Sequence, residues 1–550
     1  MKKKFKLFDS DSLKSFHKRI FFSILIFIFF YFIGIYRISD VMLFYEKDLL
    51  HNLSSDKQER GKIFDRNGNL LATTINSYSI FTNPNKLKNK KLILKKISKI
   101  LNIKEKKLSK ILFSEKKFVW IKRNITPTEH QAIIDLGEIN LRILKEKKRI
   151  YPYQNEVSHI VGYVNIDQKG QGGIERSQNK KLAKSNDIFL TIDINLQQSV
   201  REKLINTIKK YRANSGSAIV MDINNGQILS SVSFPDFDPN NNETYNKESL
   251  VNRVVQSNYE MGSTFKPITV AMGIDKGLIN PNMTFDVSKK YKGINDYLKY
   301  EENGIYNVEK IIVKSSNIGT AKIASIIGKS NQIEFFKKIG FYNKLNIELL
   351  ESSKPLGNKN NWGALETMTI GYGHGFAITP LHLVKAYSSI ANNGNESIPT
   401  LILKKQNLNK NKILQNNDTS KFFLKLLKSV VTKTNVAGPN VKIEGYDIGG
   451  KTGTAMLVNK KGGYYRDRDL TSFIGIFPIE KPKYIVLTII EYPKKPINSN
   501  IKTTGGTVNA PLVKKIILDM IRILNIPKYK NSDILKADIN SIYYLKNATL

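Results

Sequence analysis

The sequence of 550 residues contains no cysteine and few histidines, and its acidic residues are greatly outnumbered by basic ones. Without cysteine the chain can form no disulfide, has no thiol nucleophile and cannot hold a metal through thiolates. The six histidines do not follow the spacing of metal ligands. We therefore expect neither a metal nor an organic cofactor.

The excess of 87 Lys and Arg over 47 Asp and Glu gives a formal net charge of +40. Such a charge is typical of proteins that bind nucleic acid or anionic membranes. Here, however, the lysines are spread over the whole length, and no nucleic-acid recognition motif accompanies them. The charge therefore indicates a compositional bias, and we expect no nucleic-acid partner.

Long apolar runs are missing apart from one at residues 20–36, which approaches the length of a membrane span. Seven basic residues and two acidic ones precede this run. The positive-inside rule then places residues 1–19 in the cytoplasm and the rest of the chain outside. The rival is a cleaved signal peptide, but no small-x-small cleavage site follows in residues 37–43. We predict an uncleaved anchor that crosses the membrane once.

Three short motifs follow one another along the chain. They are Ser263-Thr-Phe-Lys266, then Ser315-Ser-Asn317, then Lys451-Thr-Gly-Thr454. Each motif alone is weak, because a Ser and a Lys three residues apart occur by chance in a lysine-rich chain. In this order and spacing, however, the three are the set found in the serine acyl-transferases that react with penicillin.

The chemistry explains these residue types. A serine hydroxyl needs a base, and residues three apart on a helix share a face, so Lys266 can reach Ser263. Pro267 is tolerated only in a first helical turn, which predicts Ser263 at the N-terminus of a helix. Lys266 must be neutral to accept a proton, and desolvation together with the nearby cation Lys451 would lower its pKa. Gly453 would let its strand approach a bound substrate closely.

The flanking residues extend this resemblance to the class B penicillin-binding proteins over about residues 60–527. The serine segment carries it, although Met261 stands where many relatives have proline. Glu260 and Gly462-Gly-Tyr464 resemble the division-specific enzyme of this class, penicillin-binding protein 3, more than the elongation enzyme. The matching segments are Tyr259-Glu-Met-Gly-Ser-Thr-Phe-Lys-Pro267, Arg60-Gly-Lys-Ile-Phe-Asp65-Arg-Asn-Gly68, Arg149-Ile-Tyr-Pro152, His159-Ile-Val-Gly-Tyr163, Gly172-Gly-Ile-Glu175, Gly371-Tyr-Gly-His-Gly375 and Thr379-Pro380.

The pattern of the chain and the resemblance imply the same architecture. Hairpins at residues 218–229 and 473–490, with helices between them, predict an α+β domain whose sheet is mostly antiparallel. The resemblance adds helices on both faces and an extended, β-rich pedestal domain of the dimerisation type. Residues 87–113 predict one or two amphipathic helices. The predicted segments are a cytoplasmic tail (1–19), a transmembrane helix (20–37), the pedestal (38–185), a transpeptidase domain (186–527) and a polar C-terminal tail (528–550).

The resemblance also implies the reaction, a D,D-transpeptidation of peptidoglycan stem peptides ending in D-Ala-D-Ala. Ser263 would attack the penultimate D-Ala carbonyl, and an amine of a neighbouring stem would take the acyl group. Lys266 would be the base and Ser315 a proton relay, while Asn317 would hold the substrate amide. Lys451 and Thr452 would bind the carboxylate. The backbone N–H groups of Ser263 and Thr454 would form the oxyanion hole, next to Gly453.

Several alternatives share these motifs. A β-lactamase or D,D-carboxypeptidase would pass the acyl group to water, but the long pedestal and the anchor argue against it as the main activity. A penicillin-sensing receptor needs a cytoplasmic signalling domain, which nineteen residues cannot supply. An elongation-type transpeptidase and a catalytically idle division scaffold stay open.

The resemblance to the division-specific enzyme also implies the partners and the location. We expect stem peptides, β-lactam antibiotics, the membrane, a septal glycan polymerase and other division proteins as partners. The location expected is the bacterial inner membrane, with the catalytic domain in the periplasm. His374 is expected to have a structural or substrate-edge role.

Overall fold

The structure is a computed structural model that describes residues 10–39, 59–296, 304–357, 362–403, 411–459, 462–497 and 499–528. The chain separates into two compact units, one of residues 1–59 with 76–148 and the other of residues 60–75 with 149–550. The domain boundaries expected from the sequence follow a different criterion and stay predictions. Most of the predicted C-terminal tail and the first nine residues lie outside the described residues.

The α-helices are α1 (Ser10–Ser39), α2 (Lys90–Leu101), α3 (Glu105–Leu112), α4 (Pro127–Asp135), α5 (Ser158–Val161), α6 (Gly173–Ser177), α7 (Asn179–Leu182), α8 (Ile194–Lys210), α9 (Lys266–Asp275), α10 (Val308–Val313), α11 (Asn317–Ile339), α12 (Ala364–Gly371), α13 (Pro380–Ala391), α14 (Asn417–Lys433), α15 (Ala437–Val441) and α16 (Ala510–Ile523). Short 3-10 turns occupy Pro84–Lys86, Gln154–Val157, Asn242–Thr244 and Gly262–Thr264, and a π turn occupies Gly505–Asn509.

The strands are β1 (Ile63–Phe64), β2 (Leu70–Thr82), β3 (Val119–Ile125), β4 (Leu141–Ile150), β5 (Ile188–Phe189), β6 (Ser215–Asp222), β7 (Ile228–Phe234), β8 (Tyr259–Glu260), β9 (Thr284–Asp286), β10 (Ile305–Asn307), β11 (Ala377–Ile378), β12 (Gly449–Val458), β13 (Tyr464–Phe477) and β14 (Tyr484–Glu491).

The first unit contains α1, and among the described residues this is the one helix long and apolar enough to cross a membrane. Its apolar part, Lys14–Ser39, has a mean hydropathy of 2.2 and none of it is buried. The amphipathic pattern of residues 87–113 forms two helices, α2 and α3, as predicted. Their apolar sides share a core with β2 and β3, which contribute the buried residues Ile80 and Ile121.

The second unit is built on a five-stranded sheet in the order β12-β13-β14-β6-β7, in which every pairing is antiparallel. Alternate residues of its strands enter different cores, as expected for a sheet covered on both faces. In β6, Ile219 and Met221 pack with α9, α11 and α13. Ala218 and Val220 pack with α8 and α16. The predicted α+β domain with a mostly antiparallel sheet is confirmed.

A buried ion cluster joins three of the sequence motifs within the second unit. Glu175 is fully buried and receives hydrogen bonds from Arg60 Nε at 2.7 Å and Arg149 Nε at 2.7 Å. Arg149 also donates to Thr74 Oγ1 at 3.1 Å. A buried carboxylate between two guanidinium groups is stable only when this geometry is kept. These motif residues therefore hold together segments of the second unit that are far apart in the chain.

Candidate active site

Ser263 lies in the 3-10 turn Gly262–Thr264, directly ahead of α9. The sequence predicted Ser263 at the N-terminus of a helix, and the structure places it in the 3-10 turn that leads into α9. The α-helix begins at Lys266 with Pro267 in its first turn, because proline has no N–H to donate to the carbonyl four residues earlier. Gly262 has a positive φ of 51°, which turns the chain into the serine.

The serine turn is held from several sides. The Gly262 N–H donates to the Gly373 carbonyl at 3.1 Å. The hydroxyl of Tyr387, a buried residue of α13, donates to the Thr264 carbonyl at 2.6 Å. Ser263 itself stays partly accessible. The turn is therefore fixed by its neighbours, while its central hydroxyl-bearing residue faces the accessible side.

Lys266 reaches the second motif from the first turn of α9. Its Nζ donates to the Ser315 carbonyl at 2.5 Å and to Asn317 Oδ1 at 2.8 Å, and it lies 3.3 Å from Ser315 Oγ. Lys266 is fully buried. A lysine in this position has its ammonium solvated only by protein groups, which favours loss of its proton.

Lys451 approaches Ser315 from the other side. Its Nζ donates to Ser315 Oγ at 3.1 Å and to the Thr452 carbonyl at 3.2 Å. Ser315 has a φ of 56°, a left-handed conformation that a serine adopts only when its surroundings hold it. The Ser315 hydroxyl therefore lies within hydrogen-bond distance of both lysines and can pass a proton between the groups around it.

The two lysines have lowered pKa values for related reasons. Burial, followed by the charge of Lys451, lowers the pKa of Lys266 well below its ordinary value, and the charge of Asp296 acts in the opposite direction. Burial lowers the pKa of Lys451 to about 7. The surroundings of Lys266 therefore favour its neutral, basic form, and an anion bound beside Lys451 would raise the pKa of Lys451.

The third motif lies on β12, an edge strand of the large sheet. A side chain at Gly453 would collide with Ser472 and Thr264, and with the Met261 carbonyl at 3.1 Å. The absence of a side chain allows β12 to pack against the serine turn, and the close approach of a substrate expected from the sequence stays a prediction. Thr452 is half-buried and Thr454 is exposed. As an edge strand, β12 has backbone groups that are not paired with another strand of the sheet on its outer side.

A polar cluster beside the serine turn is formed by Glu260, His374, Gly375 and Tyr464. Glu260 accepts hydrogen bonds from the Gly375 N–H at 3.0 Å and the Tyr464 hydroxyl at 2.8 Å, and its Oε2 lies 3.2 Å from His374 Nδ1. Burial raises the pKa of Glu260, but the bonds from His374 and Tyr464 outweigh it and lower the pKa. The two markers of the division-specific subclass, Glu260 and Tyr464, are therefore hydrogen-bonded to each other.

The structure brings Lys266, Ser315, Asn317 and Lys451 into direct contact and places Ser263 one turn ahead of Lys266. Thr452, Gly453 and Thr454 lie on the strand that flanks the serine turn. Asp296 was missed by the sequence reasoning, although its carboxylate contacts the second motif. Nothing in the sequence could have identified Asp296, because it lies 20 residues from its partner Ser316 and belongs to no motif. No group of His, Cys, Asp or Glu among the described residues could hold a metal ion.

Comparison with known families gives two matches that together cover most of the chain. Residues 216–518 match the penicillin binding protein transpeptidase domain, and residues 55–221 match the penicillin-binding protein dimerisation domain. The first match contains all three motifs, and the second contains the buried ion cluster around Glu175.

Several curated proteins are similar along nearly their whole length. The probable peptidoglycan D,D-transpeptidase FtsI of Caulobacter vibrioides is 30% identical over 476 residues, covering 83% of this chain and 80% of that protein. The probable peptidoglycan D,D-transpeptidase PenA of Neisseria meningitidis is 28% identical, covering 86% of this chain and 85% of that protein. Stage V sporulation protein D of Bacillus subtilis is 29% identical, covering 86% and 79%.

The fold is also found among solved structures. A peptidoglycan synthetase from Bifidobacterium adolescentis superposes with a TM-score of 0.67 at 21% sequence identity, covering 86% of this chain and 97% of that one. At this level of identity the likeness concerns the fold.

Proposed function

This chain belongs to the penicillin-binding proteins with a transpeptidase domain, and we propose that it is a membrane-anchored serine D,D-transpeptidase that cross-links peptidoglycan during septum synthesis. The observation that carries the proposal is the buried Lys266, which joins the serine segment to Ser315 and Asn317. The names of the relatives support the substrate, since they are peptidoglycan D,D-transpeptidases. Penicillins would acylate the same serine.

In the first half-reaction, neutral Lys266 takes the proton of the Ser263 hydroxyl as the oxygen attacks the penultimate D-Ala carbonyl. The backbone N–H groups of Ser263 and Thr454 would stabilise the oxyanion. The loss of one such donor costs about 10²–10³ in rate in comparable enzymes. The carbon–nitrogen bond then breaks, the proton passes through Ser315 to the departing D-Ala amine, and an ester remains on Ser263.

In the second half-reaction, the amine of a neighbouring stem peptide attacks the ester carbonyl. Lys266, again neutral after it has given up the first proton, accepts a proton from this amine. The Ser263 oxygen leaves and recovers its proton, and a new amide bond joins the two stems. The same acyl-enzyme reacting with water would give a weak D,D-carboxypeptidase activity.

Lys451 and Thr452 would hold the terminal carboxylate of the donor, and Asn317 its amide backbone. Because the pKa of Lys451 is about 7 in the free protein, a bound carboxylate would raise it and favour the protonated form. The resulting charge would in turn help to keep Lys266 neutral. Substrate binding and activation of the base are thus coupled through Lys451.

The similarity to FtsI supports a role in division. Within this proposal, the partners are a septal glycan polymerase and other division proteins. The anchor is a single uncleaved span with the N-terminus in the cytoplasm and the catalytic domain in the periplasm. The functional segments are those expected from the sequence, with the pedestal at 38–185 and the transpeptidase domain at 186–527.

A transfer assay tests this function. The purified full chain in detergent is given a donor peptide ending in D-Ala-D-Ala and an amine acceptor, and both free D-Ala and the cross-linked product are measured by mass. We expect a cross-linked product that is absent with Ser263→Ala. Release of D-Ala with water as the sole acceptor would instead indicate a D,D-carboxypeptidase, and no release at all would indicate a non-catalytic scaffold.

A further inference from the structure

Asp296 contacts the second motif at the N-terminus of α11, where the backbone N–H groups have no partner within the helix. Its Oδ1 accepts hydrogen bonds from the Asn317 N–H at 2.5 Å and the Ile318 N–H at 3.0 Å. Its Oδ2 accepts one from the Ser316 hydroxyl at 2.6 Å. One carboxylate thus binds three donors on three consecutive residues that directly follow Ser315.

These bonds fix a segment that is conformationally unfavourable. Ser315 has a left-handed backbone, and its carbonyl and hydroxyl both reach Lys266. On its N-terminal side, the Ser315 N–H is held by the Ile312 carbonyl at 3.2 Å. On its C-terminal side, the Asp296 carboxylate fixes residues 316–318. A left-handed serine persists only where its surroundings over-determine it, and Asp296 supplies one half of that restraint.

The charge of Asp296 also acts on the Lys266 ammonium. The groups around the Lys266 ammonium are the side chain of Asn317, the hydroxyl and carbonyl of Ser315, the charge of Lys451 and the charge of Asp296. Burial and Lys451 lower the pKa of Lys266, whereas Asp296 raises it. The Asp296 carboxylate therefore limits how far burial and Lys451 lower the pKa of Lys266.

We propose that Asp296 is a positioning residue for acyl transfer, which holds Ser315 and Asn317 in place on Lys266 and offsets the charge of Lys451. The inference rests on the proposed function, because it needs Lys266 to be the base. It does not require Asp296 to touch the substrate. Its two contributions, hydrogen bonding and charge, can be separated by substitution.

Asp296→Asn keeps an acceptor oxygen for the backbone N–H groups but removes the charge, and Asp296→Ala removes both. The matched control is Asp275→Asn. Asp275 is a buried carboxylate that, like Asp296, accepts two backbone hydrogen bonds on one oxygen. Its Oδ1 accepts from the Gln415 and Asn416 N–H groups at 2.8 and 2.9 Å. It contacts neither lysine, so its loss should affect stability alone.

The rate of acylation by a β-lactam is measured from pH 5 to 10 for the full-length variants, per mole of folded protein. In Asp296→Asn, the loss of a negative charge lowers the pKa of Lys266, so the acidic limb of the profile should move to lower pH. Asp296→Ala should in addition lose about tenfold to a hundredfold in maximal rate, the effect of removing hydrogen bonds to a charged group. Asp275→Asn should keep the unaltered profile and rate.

Unchanged profiles and rates for both Asp296 variants would overturn the inference while leaving the proposed function intact, since the unmodified protein would still be acylated. An equal change in Asp275→Asn would also overturn it, because the effect would then be one of general stability. If Asp296→Ala does not fold, Asp296→Asn still decides between these results through the direction of its shift. Failure of the unmodified protein to be acylated would instead refute the proposed function.

Discussion

At the scale of single residues, the charge of Lys451 acts on Lys266 and would also act on a bound substrate carboxylate. It donates to Ser315 Oγ, which Lys266 also approaches, and it lies on the strand where the substrate carboxylate would bind. Buried without a carboxylate beside it, Lys451 has its pKa lowered to about 7. Its protonation therefore depends on whether a substrate anion is present.

Lys451→Ala tests this dependence. Removal of a positive charge raises the pKa of Lys266, so the acidic limb of the acylation profile should move to higher pH, opposite to the shift expected for Asp296→Asn. The rate with a carboxylate-bearing β-lactam should fall roughly tenfold to a hundredfold, since a charge-assisted hydrogen bond is lost. Lys451→Arg should keep the pH effect better than the binding, because it retains the charge but changes the donor geometry. An unchanged rate and profile in Lys451→Ala would refute the role of the third motif.

The sequence predicted which residues meet at the site, because the three motifs in this order are typical of enzymes that use them in one reaction. It could not predict the left-handed Ser315 or the carboxylate of Asp296. Both depend on contacts between segments that are far apart in the chain, and neither residue type is unusual for its position. The sequence also could not predict that Gly453 avoids a collision with Thr264 and Ser472, which are distant in the chain.

At the scale of elements, periodicity and turn signals predicted the membrane helix, the helices of residues 87–113 and the two hairpins of the large sheet. Thr379 caps α13 through its hydroxyl, which accepts from the His382 N–H, and Pro380 occupies the first turn. The sequence placed Ser263 at the N-terminus of a helix but did not predict the 3-10 turn there, because a 3-10 turn and a first helical turn have similar local signals. The pairing of β1 with β2 and β5 was harder to predict. Both β1 and β5 are only two residues long, and they lie 125 residues apart in the chain.

The buried cluster of Arg60, Arg149 and Glu175 gives an element-scale prediction. Glu175→Gln leaves two buried guanidinium groups without their carboxylate, so the free energy of unfolding should fall by about 3–5 kcal/mol. Thermal or denaturant unfolding of the purified protein measures this loss. Glu202→Gln, at an exposed helix position, serves as the control and should change stability by less than about 0.5 kcal/mol. Equal effects of the two substitutions would show that the cluster is not structural.

At the scale of the whole molecule, the chain combines an apolar helix near its N-terminus with the site formed by the three motifs. The helix α1 would keep the enzyme at the membrane, where its substrate is supplied and polymerised. The sequence predicted this arrangement well, because a membrane span is a local property of composition. Protein partners depend on surface complementarity, which no motif records, so the septal partners stay a proposal.

Depletion of the protein in its own cell tests the division role. If the chain works at the septum, depleted cells should grow into filaments with unfinished septa, and a fluorescent fusion should gather at midcell. Complementation with Ser263→Ala should fail even though that variant reaches midcell, because anchoring does not need the serine. Rounded cells and uniform labelling of the side wall would instead indicate the elongation enzyme.

The account depends most directly on Ser263 as the nucleophile. The measurement that tests it is the intact mass of the purified full chain after incubation with a labelled penicillin, followed by peptide mapping. We predict a gain of one β-lactam mass, located on Ser263 and absent from Ser263→Ala. An adduct on another residue, or no adduct with several β-lactams on folded protein, would contradict the account.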